Sequence, residues 1–210
     1  MNSAQEHWNS QHSHYTREEI QYDEWLQSFD PIIDRCTTPI IDLGCGSGND
    51  TKYLVERGKQ VIACDYSENA IGNIRRNFPE VREAMCFDMT RGLPFLDNFT
   101  DLLVADLSLH YFSEETTFAI LEEIRRVLRP EGVLLLRVNS VRDTNHGAGQ
   151  GAEVEPRYFE VSSGHFKRFF HGADFDWFFH GWEQLYLAES EMNRYALPKI
   201  LWTGMYRVIK

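Results

Sequence analysis

Apolar positions in this chain come in short runs separated by amphipathic stretches. Ile40-Ile41-Asp42-Leu43 follows Pro39 and is closed by Gly44, which predicts a buried strand. Asp50 to Arg57 has helical spacing, and Gly58 supplies its stop signal. The alternation then repeats. Gln60 to Cys64 predicts a strand ended by Asp65, and Ser67 caps a helix whose apolar residues are Ala70, Ile71 and Ile74. Ala84 to Phe87 and Asp101 to Ala105 predict two more strands. Ser113 caps a helix with Ile120, Leu121, Ile124, Val127 and Leu128 on one stripe. Pro130-Glu131-Gly132 predicts a turn, and Val133 to Val138 a fifth strand.

Strands that alternate with helices form a parallel sheet with right-handed crossovers, so the expected fold is α/β and doubly wound. The tail adds strand candidates at Glu183–Ala188 and Lys199–Ile209, an antiparallel hairpin on a sheet edge. The polar residues 1–15 suggest a mobile arm. Thr16-Arg17-Glu18-Glu19 has the form of a capping box and predicts a helix through Ile20, Trp25, Leu26 and Phe29, ending near Pro31. Residues 141–182 break the alternation and carry several glycines. No linker or repeat divides the chain, so 1–210 is expected to be one domain: arm 1–15, cap helix 16–30, core 39–140, insertion 141–182 and terminal strands 183–210.

Composition narrows the partners. With 42% apolar and 25% charged residues the chain is ordinary globular protein. Its net charge of -11 repels nucleic-acid backbones and anionic lipid, so neither is expected as a partner. No run approaches the roughly 18 apolar residues of a membrane span. The first fifteen residues lack Lys, Arg and an apolar run, unlike a secretory signal. Cys36, Cys45, Cys64 and Cys86 form no CxxC pair, which points to no metal centre and to a cytoplasmic, reduced protein.

The most informative segment is Asp42-Leu43-Gly44-Cys45-Gly46-Ser47-Gly48-Asn49-Asp50, a strand-to-helix loop with glycine at every second position. Such a loop lets a ligand pack on bare main chain near a helix N-terminus. Asn49 replaces the third glycine of the dinucleotide fingerprint, and no Lys follows Gly48 as a P-loop requires. Asp65 ends the next strand about 20 residues beyond the first glycine, the spacing of a carboxylate that accepts from ribose hydroxyls. Phe87-Asp88-Met89 and Ala105-Asp106-Leu107-Ser108-Leu109-His110-Tyr111 follow later strands and open at the same carboxyl edge. The plainer alternatives are a structural turn, a helix cap at Asp65 and a solvated turn at Asp88.

Residues 39 to about 140 resemble the class I S-adenosylmethionine-dependent methyltransferases, through IIDLGCGSGNDTKYL, VIACDYSENAI, CFDMTRGLPF, DLLVADLSLHYF and EEIRRVLRPEGVLLLRV. The likeness within that family runs toward small stand-alone bacterial enzymes of the tellurite and thiol type. It implies a Rossmann-like, seven-stranded, mostly parallel sheet with an antiparallel last strand, and S-adenosylmethionine as cofactor. Gly44, Cys45, Gly46 and Gly48 would line the methionine part, with Asp42 near its amino group. Asp65 would hold the ribose, Tyr66 would border the adenine, and Asp88 and Met89 would meet the adenine edge. Asp106 and Leu107 would offer main-chain contacts.

The stretch Asp106-Leu107-Ser108-Leu109 departs from the [ND]-P-P-[YF] motif of enzymes that methylate amino groups of bases or glutamine. With the acidic charge, this favours a small-molecule acceptor. Methyl transfer from a sulfonium is an in-line displacement, and a monomer or homodimer is expected. Candidate bases are His165, His110 and Tyr158. Arg157, Lys167 and Arg168 stand among aromatic residues and suggest a cationic acceptor pocket, or else a solvated strand face. Two rivals remain: a non-catalytic or regulatory S-adenosylmethionine-binding protein, and a nicotinamide oxidoreductase, which Asn49 disfavours.

Overall fold

The computed structural model describes residues 3–12, 16–162 and 164–210. Its main sheet has seven strands in the order β3-β2-β1-β4-β5-β10-β9. These are β1 (Ile40–Leu43), β2 (Val61–Asp65), β3 (Glu83–Cys86), β4 (Thr100–Asp106), β5 (Leu128–Asn139), β9 (Trp182–Met192) and β10 (Lys199–Val208). The first five run parallel, and β10 is antiparallel to both β5 and β9. This is the Rossmann-like architecture expected.

Both faces of the sheet are covered, which explains why its central strands are almost wholly apolar. Period-two alternation sends Ile41, Leu43, Ile62, Leu103 and Leu134 to a core shared with α5 (Glu114–Val127) and α6 (Gly172–Phe178). It sends Ile40, Val61, Leu102, Val104 and Leu135 to the other face, against Leu54 of α3 (Asn49–Glu56) and Leu26, Phe29 and Ile33. Asp42 shares that second face, so its carboxylate is buried toward α3. Two predicted caps form as expected. Ser67 Oγ accepts from Ala70 N–H (3.1 Å) at the start of α4 (Glu68–Asn77), and Ser113 Oγ accepts from Thr116 N–H (3.3 Å).

Three regions depart from expectation. Ser3–Gln11, part of the predicted arm, is a helix, α1. The predicted helix over 16–30 does not form. Glu19 accepts from Thr16 N–H (2.8 Å), closing only a turn. A 3-10 turn (Glu24–Phe29) leads into α2 (Asp30–Arg35). Pro31 therefore opens a helix rather than ending one, since a first-turn proline lacks only an N–H that would have had no partner. Pro130-Glu131-Gly132 is absorbed into β5 as a bulge. Register jumps from Thr100↔Leu128 to Leu102↔Val133, with Glu131 left-handed at φ 64°.

Residues 141–182 build a second sheet of β6 (Ala152–Glu155), β7 (Tyr158–Ser162) and β8 (His165–Arg168), followed by α6. β7 and β8 pair as an antiparallel hairpin; Ser163 lies outside the described residues, as do residues 1–2 and 13–15 of the predicted arm. Phe175, Phe178 and Phe179 are buried, whereas Trp177 faces solvent.

One buried ionic cluster joins the parts. Arg137 of β5 donates to Asp106 of β4 (2.7 and 2.8 Å) and to Asp23 ahead of β1 (2.5 and 3.1 Å). Arg194, between β9 and β10, donates to Asp106 as well (3.1 Å). Arg137 also stacks 4.6 Å over the Trp25 ring. Removing one partner of a buried pair typically costs about 3–5 kcal/mol. Arg137→Met is therefore expected to lower the unfolding free energy by about that much, as measured by urea denaturation.

Candidate active site

The carboxyl ends of β1, β2 and β4 open into a cavity of about 940 Å³. This is the edge at which doubly wound sheets bind ligands. The glycine loop forms its floor, and the residue types follow from close approach. Gly44 has φ +82°, and a Cβ there would lie 2.3 Å from Ser108 Cβ. Ser108 Oγ donates to Leu43 O (2.7 Å), so the loop after β4 is pressed onto the loop after β1. Gly46 has φ +52° and lies under His12 of the segment after α1, whose Cε1 would be 3.2 Å from an added Cβ.

Asp65 joins the two loops beside it. Its Oδ2 accepts from Gly46 N–H (2.9 Å) and its Oδ1 from Ser67 N–H (2.8 Å). It therefore also supports the start of α4, while its carboxylate still borders the cavity. Asp88 borders it too, although its Oδ1 accepts from Thr90 N–H (3.0 Å) and caps a 3-10 turn. Leu107 is held left-handed at φ 53°, with its N–H on Arg137 O (2.9 Å), which brings main chain to the cavity wall.

The carboxylates here are set far apart in acidity. Burial pushes Asp42 up to about 7, although Thr51 Oγ1 donates to it (2.5 Å); neighbouring Asp106 and Asp65 add to the rise. Burial also raises Asp50, which accepts from Trp25 Nε1 (2.9 Å). Asp106 is equally buried, but Arg137 and Arg194 overcome that and hold it down at about 2.

Asp42, Gly44, Cys45, Gly46, Asp65, Tyr66, Asp88, Met89, Asp106 and Leu107 all line this cavity. Gly48 does not. Its Cβ position faces α4, 2.7 Å from Ile74 Cδ1 and Phe78 Cε2, so this glycine serves helix packing.

The three candidate bases separate. His165 lines the cavity. His110 is buried behind it, and burial lowers its pKa well below the usual imidazole value. Tyr158 is also set back, with its hydroxyl donating to Tyr111 O (3.1 Å). The expected cationic trio separates as well. Arg157 is taken up by a two-pronged pair with Asp174 (Nε to Oδ2, 2.8 Å). Arg168 is buried, on Glu155 (2.5 Å) and Pro156 O (3.1 Å). Lys167 alone of the three borders the cavity.

Two contributors were missed in the sequence. Arg194 and Tyr195 reach the cavity from the β9–β10 connection. His7, Trp8, Gln11 and His12 reach it from the N-terminal segment, which docks through Asn9 on Ser67 Oγ (2.8 Å) and Trp8 edge-on to Tyr111 (4.8 Å). The available signal was a tryptophan among histidines in an otherwise featureless polar stretch.

Residues 41–136 match the family model described as a methyltransferase domain. An uncharacterised methyltransferase of Synechocystis is 31% identical over 97 residues, 46% of this chain and 45% of that protein. A trans-aconitate 2-methyltransferase of Azoarcus is 36% identical over 110 residues, 51% of this chain and 41% of that protein. The chain thus spans less than half the length of either relative. An S-adenosylmethionine-dependent methyltransferase of Methanosarcina mazei superposes with a TM-score of 0.71 at 18% identity, covering 85% of this chain and 97% of that one. A Burkholderia thailandensis 1,6-didemethyltoxoflavin N1-methyltransferase, solved with that compound and S-adenosylhomocysteine, gives 0.66 at 17% identity, with 88% and 76% covered. Residues 41–136, a little under half of the chain, therefore resemble a methyltransferase domain.

The acidity of Asp42 has a measurable consequence. Its folded value lies above its ordinary 3.8, so the stability tied to its proton is full at low pH and is lost as pH rises toward 7. While the folded form is protonated and the unfolded form ionised, the slope is about 1.4 kcal/mol per pH unit. Urea unfolding at about pH 5 and about pH 7 should show Asp42→Asn gaining on the parent protein as pH rises, at up to that slope.

Proposed function

We propose that this chain is a methyltransferase that binds S-adenosylmethionine on the glycine loop and passes the methyl group in line to a small-molecule acceptor. The observation that carries this reading is the extent of the cavity. It continues from the Asp65–Gly46 corner past Asp106 to a second wall made by the β7–β8 hairpin and Tyr195. At about 940 Å³ it lies at the upper end of the roughly 300–1,000 Å³ of small-molecule sites, which leaves room for an acceptor beside a nucleoside. A protein that only sensed the cofactor would have no use for the second wall.

The residues fit the cofactor. Gly44 and Gly46 leave main chain bare at the floor, and Asp65 Oδ2 sits at the corner where ribose hydroxyls would donate. Asp88 and Met89 would meet the adenine edge beside Tyr66. Asp42 and Asp106 would face the methionine ammonium, which favours an ionised Asp42. The bound sulfonium supplies an already activated methyl group. What this chain contributes is alignment of the acceptor and exclusion of water, with α1 closing the top of the cavity. His165, which borders the cavity, serves an acceptor that must lose a proton. The Azoarcus and Burkholderia proteins are named for small acceptors, which supports the same class here. The four cysteines are free thiols, in keeping with a cytoplasmic setting.

The test is calorimetric. S-adenosylhomocysteine should bind and NAD should not. Asp65→Ala should weaken that binding at least about tenfold, since a hydrogen bond to a charged group is worth about 1.5–3 kcal/mol. Unchanged affinity in a folded Asp65→Ala protein would overturn the assignment.

A further inference from the structure

The wall opposite the glycine loop gathers groups of one chemical kind. The rings of His7 of α1 and His165 of β8 meet at a tilt of 40°, with centroids 3.8 Å apart. Lys167 stands two residues further along β8, on the same cavity. Burial lowers the His7 pKa first, and the nearness of His165 and Lys167 lowers it further, as expected for groups that share one small space.

Lys167 is the odd member of the chain's inward-facing cations. Arg137, Arg168 and Lys199 are each buried against a carboxylate, on Asp106, Glu155 and Asp143. Lys167 is half-buried, and no hydrogen bond or ion pair among the described residues takes up its ammonium. Asp143 acts on it at longer range but bonds directly to Lys199 (2.9 Å). A chain with 32 acidic and 21 basic residues does not lack carboxylates to supply. Six carboxylates line the cavity, Glu19, Asp42, Asp50, Asp65, Asp88 and Asp106, and none of them forms an ion pair with Lys167. Partial burial of an ammonium without a counter-ion is costly, and a ligand that brings the negative charge removes the cost. Aromatic rings line the same cavity, at Trp8, Tyr111 and Phe166, with Trp8 edge-on to Tyr111.

We propose that Lys167, with His7 and His165, forms the acid-recognition end of the acceptor site, and that the methyl acceptor is a small carboxylate. The carboxylate pairs with the Lys167 ammonium while the acceptor body lies on the aromatic wall. A single uncompensated ammonium suits a monoanion. The guanidinium forks that would clamp a phosphate dianion are engaged elsewhere: Arg157 and Arg168 in their own ion pairs, and Arg194, on the cavity wall, with Asp106 and Asp23. This inference rests on the cavity being the methyltransferase site proposed above.

The experiment does not require the acceptor to be identified first. A protein-free cell extract is split on an anion-exchange resin, and each fraction is offered to the full chain with methyl-labelled S-adenosylmethionine. Label should enter compounds of the retained fraction, and phosphatase treatment should not abolish it. Lys167→Met should lower that transfer at least about tenfold, the weight of one charge-assisted contact. Lys167→Arg should keep most of it. Both variants should bind S-adenosylhomocysteine within about twofold of the parent, because the lysine lies away from the cofactor end. Transfer confined to the unretained fraction, loss on phosphatase treatment, or full transfer by Lys167→Met would each overturn the proposal. So would the absence of transfer from every fraction by a protein that still binds S-adenosylhomocysteine. A parent protein that fails to bind S-adenosylhomocysteine would instead strike the cofactor reading.

Discussion

The buried pairing of Arg137 with Asp106 is the contact on which the rest of the molecule hangs. It fixes β4 to β5 at the edge where the cavity opens, and it anchors two segments remote in sequence. Asp23 brings in the chain ahead of β1, and Arg194 brings in the β9–β10 connection. The same cluster sets the electrical character of the floor. Its two guanidinium groups hold Asp106 ionised, and that negative charge helps to keep a proton on Asp42. A floor with one permanent and one conditional negative charge can adjust to a cationic ligand without rebuilding its hydrogen bonds.

The core was legible because burial on both faces forces a simple code. Ile40 and Ile41 point to opposite sides of the sheet, yet both meet packed side chains, so the run is apolar throughout. Ser67 and Ser113 announce helix starts because the orphan N–H groups there need an oxygen whatever surrounds them. The flanking regions obey no such local rule. Glu19 satisfies Thr16 without any helix following, and the chain through Leu26 and Phe29 takes its shape from the sheet it covers. Propensity lost to tertiary packing there.

The site was legible where a single loop carries its own reason. Gly44 is a glycine because Ser108 comes too close for a side chain, and Gly46 because its backbone is left-handed beneath His12; the spacing shows the turn but not these neighbours. Gly48 shows the limit of the argument, since its close neighbour is the helix α4 and not a ligand. Charge was the weakest guide. Arg157, Lys167 and Arg168 look alike in sequence, and only the placement of Asp174 and Glu155 separates two structural cations from one that faces the cavity. Trp8 among its histidines was a faint signal, but that it and Arg194 share a wall was not legible, because segments far apart in the chain deliver them there.

The sheet ends on β9, a long strand that pairs with β10 on one side only. An unpaired strand edge is an invitation to a second chain, and proteins blunt it with charge. Glu183 and Glu191 stand exposed along β9, near either end of the strand, while Tyr186 shows its ring between them. Two copies approaching edge to edge would set these carboxylates against one another in a chain that is already strongly negative. The negative charge of the chain thus also works against edge-to-edge pairing at the open margin of the sheet.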